Sequence, residues 1–245
     1  MHIAFFPEKL IEIYGVPISN TIVMSWLAMA FLISVSFLLK GRLRPVPGKI
    51  QGVAEVMIEG MESFMTTVTG DKEKTRKFFP LIATFFLFIL LSNWMGILPG
   101  VGSVGLWETG EHGRVLVPLF RSANSDINTT MALAIISVMA TQIFGIALVG
   151  FFKYASRFIS FKGPIDFFVG ILELLAETAK IISFSFRLFG NVFAGEVLLM
   201  VIFFLVPLVI PLPFLFLEVF VGFIQALVFS MLTLVFLTVA TQKGH

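Results

Sequence analysis

PIDFFVGILELLAETAKIISFSFRLFGNVFAGEVLLMVIFFLV, residues 164–206, runs without a proline after its first position. As one helix of about 43 residues at 1.5 Å rise it would reach about 64 Å, twice the roughly 30 Å of bilayer hydrocarbon. It must tilt strongly, bend, or begin outside lipid. Gly190 and Gly195 permit either curvature or close packing of a neighbour, and both readings stay open. Pro207, Pro211 and Pro213 follow and read as a turn, after which residues 212–241 form a second long apolar run. The two make a long hairpin, and the fold class it points to is an all-α polytopic membrane protein.

Working outward, apolar runs at 19–39, 78–98 and 127–152 each approach or exceed the roughly 20 residues a spanning helix needs. With 164–206 and 212–241 they give five spans in a single membrane domain, residues 1–245. Between the first two spans, Ile50, Val53, Met57, Met61, Phe64 and Val68 recur at three- or four-residue spacing, with Glu55, Glu59 and Glu62 on another face. This predicts an amphipathic helix over about 48–70, too polar to span, lying along the interface or against a partner. Residues 1–18 place Glu8, Lys9 and Glu12 ahead of the first apolar run. That is not the order of a cleaved signal peptide, so the segment reads as a mature amino terminus.

Composition agrees with lipid as the solvent: 58% of the 245 residues are hydrophobic and 13% charged, and 30 are Phe. No cysteine is present, which excludes disulfides, thiolate metal sites and Cys nucleophiles, and His2, His112 and His245 are scattered. No metal or other cofactor is expected. A net charge of +2 is too small to signal nucleic acid. Lys40, Arg42, Arg44 and Lys49 follow the first span, Lys72, Lys74, Arg76 and Lys77 precede the second, and Lys153, Arg157 and Lys162 follow the third. These loops are expected to be cytoplasmic. The other side keeps Lys9, Arg114 and Arg121, so the amino terminus is expected outside and the carboxyl terminus inside.

Arg187 stands near the middle of an apolar span, where an arginine costs about 2.5–3.5 kcal/mol on the milder insertion scale. It should face protein, water or a counter-charge; an internal ion pair is the bland alternative. Ser183, Arg187 and Asn191 fall at i, i+4 and i+8 on one face, continued by Lys180 and Glu173 toward the cytoplasmic end. Lys180, Glu173 and Glu177 also suit simple snorkelling near the interface. Glu196 lies nine residues beyond Arg187, on the opposite face and about 13.5 Å nearer the outer surface.

On the last helix, Glu218 and Gln225 share a face. Folding the hairpin at Pro207 sets Arg187 at the depth of Gln225 and Glu196 at the depth of Glu218. Burial and a like charge both disfavour ionisation, so such an acid pair suits proton exchange near neutral pH. A guanidinium stays protonated and suits a fixed barrier. Outer acids, a central cation and an inner polar stripe suggest two half-paths. Asn124-Ser-Asp126 opens the third span, where Asn124, Ser125 or Asp126 can cap the helix and the Asp126 carboxylate can also line an outer entrance. Asn93, before Gly96 and Pro99, reads as a packing group.

Arg187-Leu-Phe-Gly-Asn191-Val-Phe-Ala-Gly-Glu196 resembles the signature of subunit a of F-type ATP synthases. The likeness extends to Asn124-Ser-Asp126-Ile-Asn128-Thr-Thr, to Glu218 and Ile224-Gln225-Ala226, and to the order of spans, essentially the whole chain. The resemblance implies a proton-translocating stator subunit that supplies two half-channels to the carboxylates of a c-subunit ring and couples ion flow to rotation and ATP synthesis. It implies peripheral-stalk subunit b and other synthase subunits as partners, and a long, steeply tilted hairpin of the last two helices wrapping the ring. It also implies a non-catalytic subunit in an energy-coupling membrane, the bacterial plasma (inner) membrane. Arg187 would be the essential arginine that meets the ring carboxylates and blocks leakage. Glu196, Glu218 and Asp126 would belong to the outer path, with Gln225, Asn191 and Ser183 beside the arginine. Some family members carry His where this chain has Glu218, so its outer pair is two acids. The choice of H⁺ or Na⁺ belongs, by the same resemblance, to the ring.

Three other classes compete, the last of them weakest. A self-contained secondary transporter would show inverted repeats, and none is visible. A non-conducting scaffold would use its buried charges only in pairs. An intramembrane enzyme lacks a His-rich site or a Ser and Lys dyad at matched depth. No phosphate-cradling glycine loop is present, so nucleotide chemistry would reside in other subunits.

Overall fold

The computed structural model describes residues 8–13, 16–41, 47–98, 104–110, 113–158, 163–206 and 209–242. Arg42, Arg44 and Lys162, the three histidines, and Pro99 and Pro207 lie outside the described residues. Five helices are long and apolar enough to cross a membrane. They are α1 (Asn20–Lys40), α3 (Lys72–Ile97), α4 (Ile127–Val149), α6 (Pro164–Leu205) and α7 (Pro211–Ala240). The amphipathic helix is α2 (Lys49–Thr69), and a short α5 (Phe151–Ala155) follows α4.

Two antiparallel hairpins, β1 (Lys9–Ile13) with β2 (Val16–Ser19) and β3 (Gly105–Gly110) with β4 (Gly113–Pro118), add to the helical reading. Strands of four to six residues carry too little pattern to register against runs of twenty apolar residues. The glycines and proline that bound β3 and β4 were the available signal.

The helix ends follow local chemistry. Gly70 closes α2 with φ +66, a conformation glycine takes without strain. The next residue, Asp71, caps α3, its carboxylate accepting the amides of Glu73 at 2.8 Å and Lys74 at 3.4 Å. The second span thus begins at Lys72, ahead of the apolar run. The third stops at Val149, short of the expected 152, because Gly150 (φ +97) turns the chain into α5. Tyr154 of α5 folds back over Gly145, where a β-carbon would overlap its ring, and its hydroxyl donates to Gln142 at 2.7 Å.

α7 sits at the centre. Gly222, Ala226, Ser230, Thr233 and Leu237 are buried along its length, and small residues there admit close helix approach. Phe85, Ile89 and Leu90 of α3, Ala134 of α4, Phe184, Leu188 and Val192 of α6, and Ala226 and Phe229 of α7 make one core cluster. Met65 of α2 joins Phe78, Ile82, Leu234 and Leu237 in a second. Only that edge of α2 packs inward. Of the expected apolar face, Met61 packs against that cluster, while Val53, Met57, Phe64 and Val68 are exposed, as an interface-lying helix requires. Large apolar side chains such as Phe168, Phe204, Phe216 and Phe220 also face outward, the surface that lipid or a partner must cover.

Candidate functional site

α6 presents two unlike faces over the same turns. Phe184, Leu188, Val192 and Leu199 are buried against the bundle, while Ser183, Arg187 and Asn191 are exposed. The Arg187 guanidinium donates to Ser183 Oγ at 3.4 Å and lies 6.0 Å from the Phe184 ring centroid. Among the described residues no carboxylate comes within ion-pair distance of it. Gln225 is half-buried on α7, and no hydrogen bond of the described residues joins it to Arg187. Shared depth across the hairpin therefore does not make them bonded partners here.

Opposite, Glu196 and Glu218 come together. The Glu218 carboxylate lies so close over Gly195 that a β-carbon there would overlap it, and the two acids are within electrostatic range of each other. Glycine at 195 is thus a close-approach residue between the hairpin helices, which settles its role. Glu196 has a further partner that sequence reasoning missed. Arg121, in the loop before α4, donates from Nε to Glu196 Oε2 at 3.2 Å and to Ser125 Oγ at 3.1 Å. The signal available was a basic residue on a side nearly empty of them, three positions ahead of Asn124-Ser-Asp126.

Asp126 is placed as a cap. Its carboxylate accepts the Asn128 amide at 2.9 Å and the Thr21 hydroxyl at 3.0 Å, and it is buried. Around it lies a dense polar network. Asn124 donates to Asn93 Oδ1 at 2.7 Å and Asn93 to the Gly222 carbonyl at 3.0 Å, so Asn93 is the packing group expected. Ser122 donates to the Ser92 carbonyl at 3.3 Å, an approach that Gly96 permits, since a β-carbon there would overlap Ser122.

At the other end, Glu173 pairs with Arg157, and Lys180 bonds Glu177 at 2.6 Å and lies 4.4 Å from the Phe236 ring centroid. These charges are neutralised locally and do not extend the exposed stripe of Arg187. Burial, then the negative charge of Glu177, pushes the Tyr154 phenol above its ordinary value, which keeps it a neutral donor to Gln142.

The sequence model of the family described as ATP synthase A chain matches residues 22–238. The chain belongs to the ATP synthase subunit a family. Among similar proteins, the ATP synthase subunit a of Desulfotalea psychrophila is 37% identical over 245 residues, covering 98% of this chain and 89% of that protein. That of Geotalea daltonii is 36% identical over 230 residues, covering 93% and 90%, and that of Syntrophobacter fumaroxidans 36% over 225 residues, covering 90% and 84%. The match to the subunit a family takes in all five spanning helices, apart from residues at the two extremes. This subunit a family member is therefore a multi-pass membrane protein.

Proposed function

We propose that this chain is the ion-translocating stator subunit of a rotary F-type ATP synthase. It supplies two half-channels to the carboxylates of a c-subunit ring and couples ion flow to rotation and ATP synthesis. One observation carries the reading: Arg187 stands exposed on the outward face of α6, flanked by Ser183 and Asn191, with no carboxylate partner among the described residues. An arginine left that way in hydrocarbon is unfavourable by about 2.5–3.5 kcal/mol. A passing carboxylate on another chain removes that cost, and a guanidinium that never deprotonates keeps the carboxylate ionised while blocking a direct proton leak.

In this reading Glu196 and Glu218 carry protons between the outer surface and the ring, with Asp126 holding the outer loop. Asn191, Gln225 and Ser183 keep the region around Arg187 polar. The inner path runs along the cytoplasmic half of α6. One charge moving through 100 mV releases about 2.3 kcal/mol, and a rotor sums several such crossings. The ring, peripheral-stalk subunit b and the nucleotide-processing subunits are the partners, and nucleotide chemistry lies in the last of these. The bacterial relatives support the bacterial plasma membrane. Lys40, Lys49, Lys72, Lys74, Arg76, Lys77, Lys153 and Arg157 crowd the ends of α1, α3 and α4 on one side, which supports an outside amino terminus and a cytoplasmic carboxyl terminus.

The test is ATP-driven acidification of vesicles holding the assembled complex with Arg187→Ala, read beside passive leak and subunit abundance. Normal assembly with lost pumping is the expected result. Wild-type pumping would refute the barrier role, and disappearance of the complex would favour the scaffold reading instead.

A further inference from the structure

The outer acid pair is built asymmetrically. Glu196 is held from one loop by the Arg121 guanidinium at 3.2 Å, with Ser122 and Ser125 of the same loop beside it. The guanidinium is itself fixed, bonded to Ser125 Oγ at 3.1 Å and lying 5.9 Å from the Phe193 ring centroid, with 14% of its side chain exposed. The loop that carries it is anchored by Asn124 to Asn93 and by Ser122 to α3. Glu218, by contrast, lies over Gly195 on the other helix of the hairpin, and none of the hydrogen bonds of the described residues ends on it. Asp126, the acid that follows Arg121 in the same loop, is engaged by Thr21 and Asn128.

We propose that Arg121 is a positioning residue of the outer path: it clamps Glu196 as a fixed acceptor and leaves Glu218 as the acid that takes and passes the proton. The inference rests on the ion-translocating reading above. A clamped carboxylate gives the incoming proton a constant place to approach. The unbonded neighbour can rotate between that place and the ring side, because no donor has to be given up. A charged hydrogen bond to Glu196 achieves this only if the group on Arg121's position is cationic.

The chain has no native cysteine, so Arg121→Cys puts one addressable thiol on it, and the charge can be returned after assembly. In vesicles holding the intact complex, ATP-driven pumping by Arg121→Cys is expected to fall at least about tenfold, the scale of a misplaced proton-transfer group. Aminoethyl methanethiosulfonate, which adds an ammonium, should restore much of it, and the neutral methyl reagent should not. Equal rescue by the neutral reagent, or wild-type pumping before any reagent, would overturn the proposal. If Arg121→Cys does not assemble, Arg121→Lys and Arg121→Met decide. Lys must pump and Met fail, and equal activity of the two refutes the clamp. The double variant Arg121→Met, Glu196→Gln should be no worse than Glu196→Gln alone, since groups acting as one unit are not additive. Arg187→Ala is run in parallel. Full pumping there sinks the underlying function, whereas lost pumping there with indifferent Arg121 variants sinks only the clamp.

Discussion

Arg121 and Arg187 serve the same two helices from opposite circumstances. Arg121 is mostly buried, bonded to a carboxylate and a hydroxyl and stacked by an aromatic ring. Arg187 is exposed among apolar side chains with a single long hydrogen bond to a serine on its own helix. The first arrangement is how a folded chain normally handles a charge in a poor solvent. In the second, under the function proposed above, the charge is left for a carboxylate of another chain. An arginine held by its own chain and one left without a carboxylate partner among the described residues are thus told apart by their surroundings.

The sharpest break of that contrast is Arg187→Ala. Pumping is expected to fall by at least about a hundredfold, as when a preorganised electrostatic group is removed, with the complex melting at its usual temperature. If the variant instead unfolds like a core mutant, the two arginines are not different in kind. Next comes Gly195→Ala. Its methyl group must displace the Glu218 carboxylate, and overpacking of this sort costs about 1–3 kcal/mol. The expected result is a roughly tenfold loss of pumping in a complex that still assembles, measured by vesicle acidification.

Asn124→Leu attacks the opposite member. It strips Asn93 Oδ1 of its 2.7 Å donor inside the buried network, and an unsatisfied buried acceptor costs about 1–3 kcal/mol. Thermal unfolding of the detergent-solubilised complex should shift down before pumping changes. Smallest is Ser137→Ala, which removes the 2.8 Å bond to Thr233 between α4 and α7. Interhelical hydrogen bonds of this kind average about 0.6 kcal/mol, so a barely lowered melting temperature and normal pumping are expected.

Much of this contrast was legible in the residues alone. The five runs of apolar length gave the spans to within a few residues at most ends, because hydrocarbon thickness sets helix length directly. Helical spacing put Ser183, Arg187 and Asn191 on one face, and near-equal distance from one turn set Glu196 at the depth of Glu218, though spacing alone does not put the two in contact. Arg121 was not visible as a partner because it reaches Glu196 across 75 residues, and no local period encodes such a pairing. A still longer separation hid the bond from Asn93 to Gly222, 129 residues apart. The β hairpins escaped because their strands are short, and the packed edge of α2 because a helical pattern tells which side is apolar but not how much of it finds a neighbour.

The length of α6 has a geometrical consequence. Its 42 residues make about 63 Å of helix, and laid wholly within about 30 Å of hydrocarbon they form a ramp rather than a post. Each residue then climbs about 0.7 Å and travels about 1.3 Å sideways. Arg187 and Glu196, about 13.5 Å apart along the axis, differ by only about 6 Å in depth and by about 12 Å within the plane of the membrane. Along such a ramp, going from one station to the next is chiefly a lateral journey, which under the function proposed above suits a carrier that circulates in the plane instead of one that burrows across it.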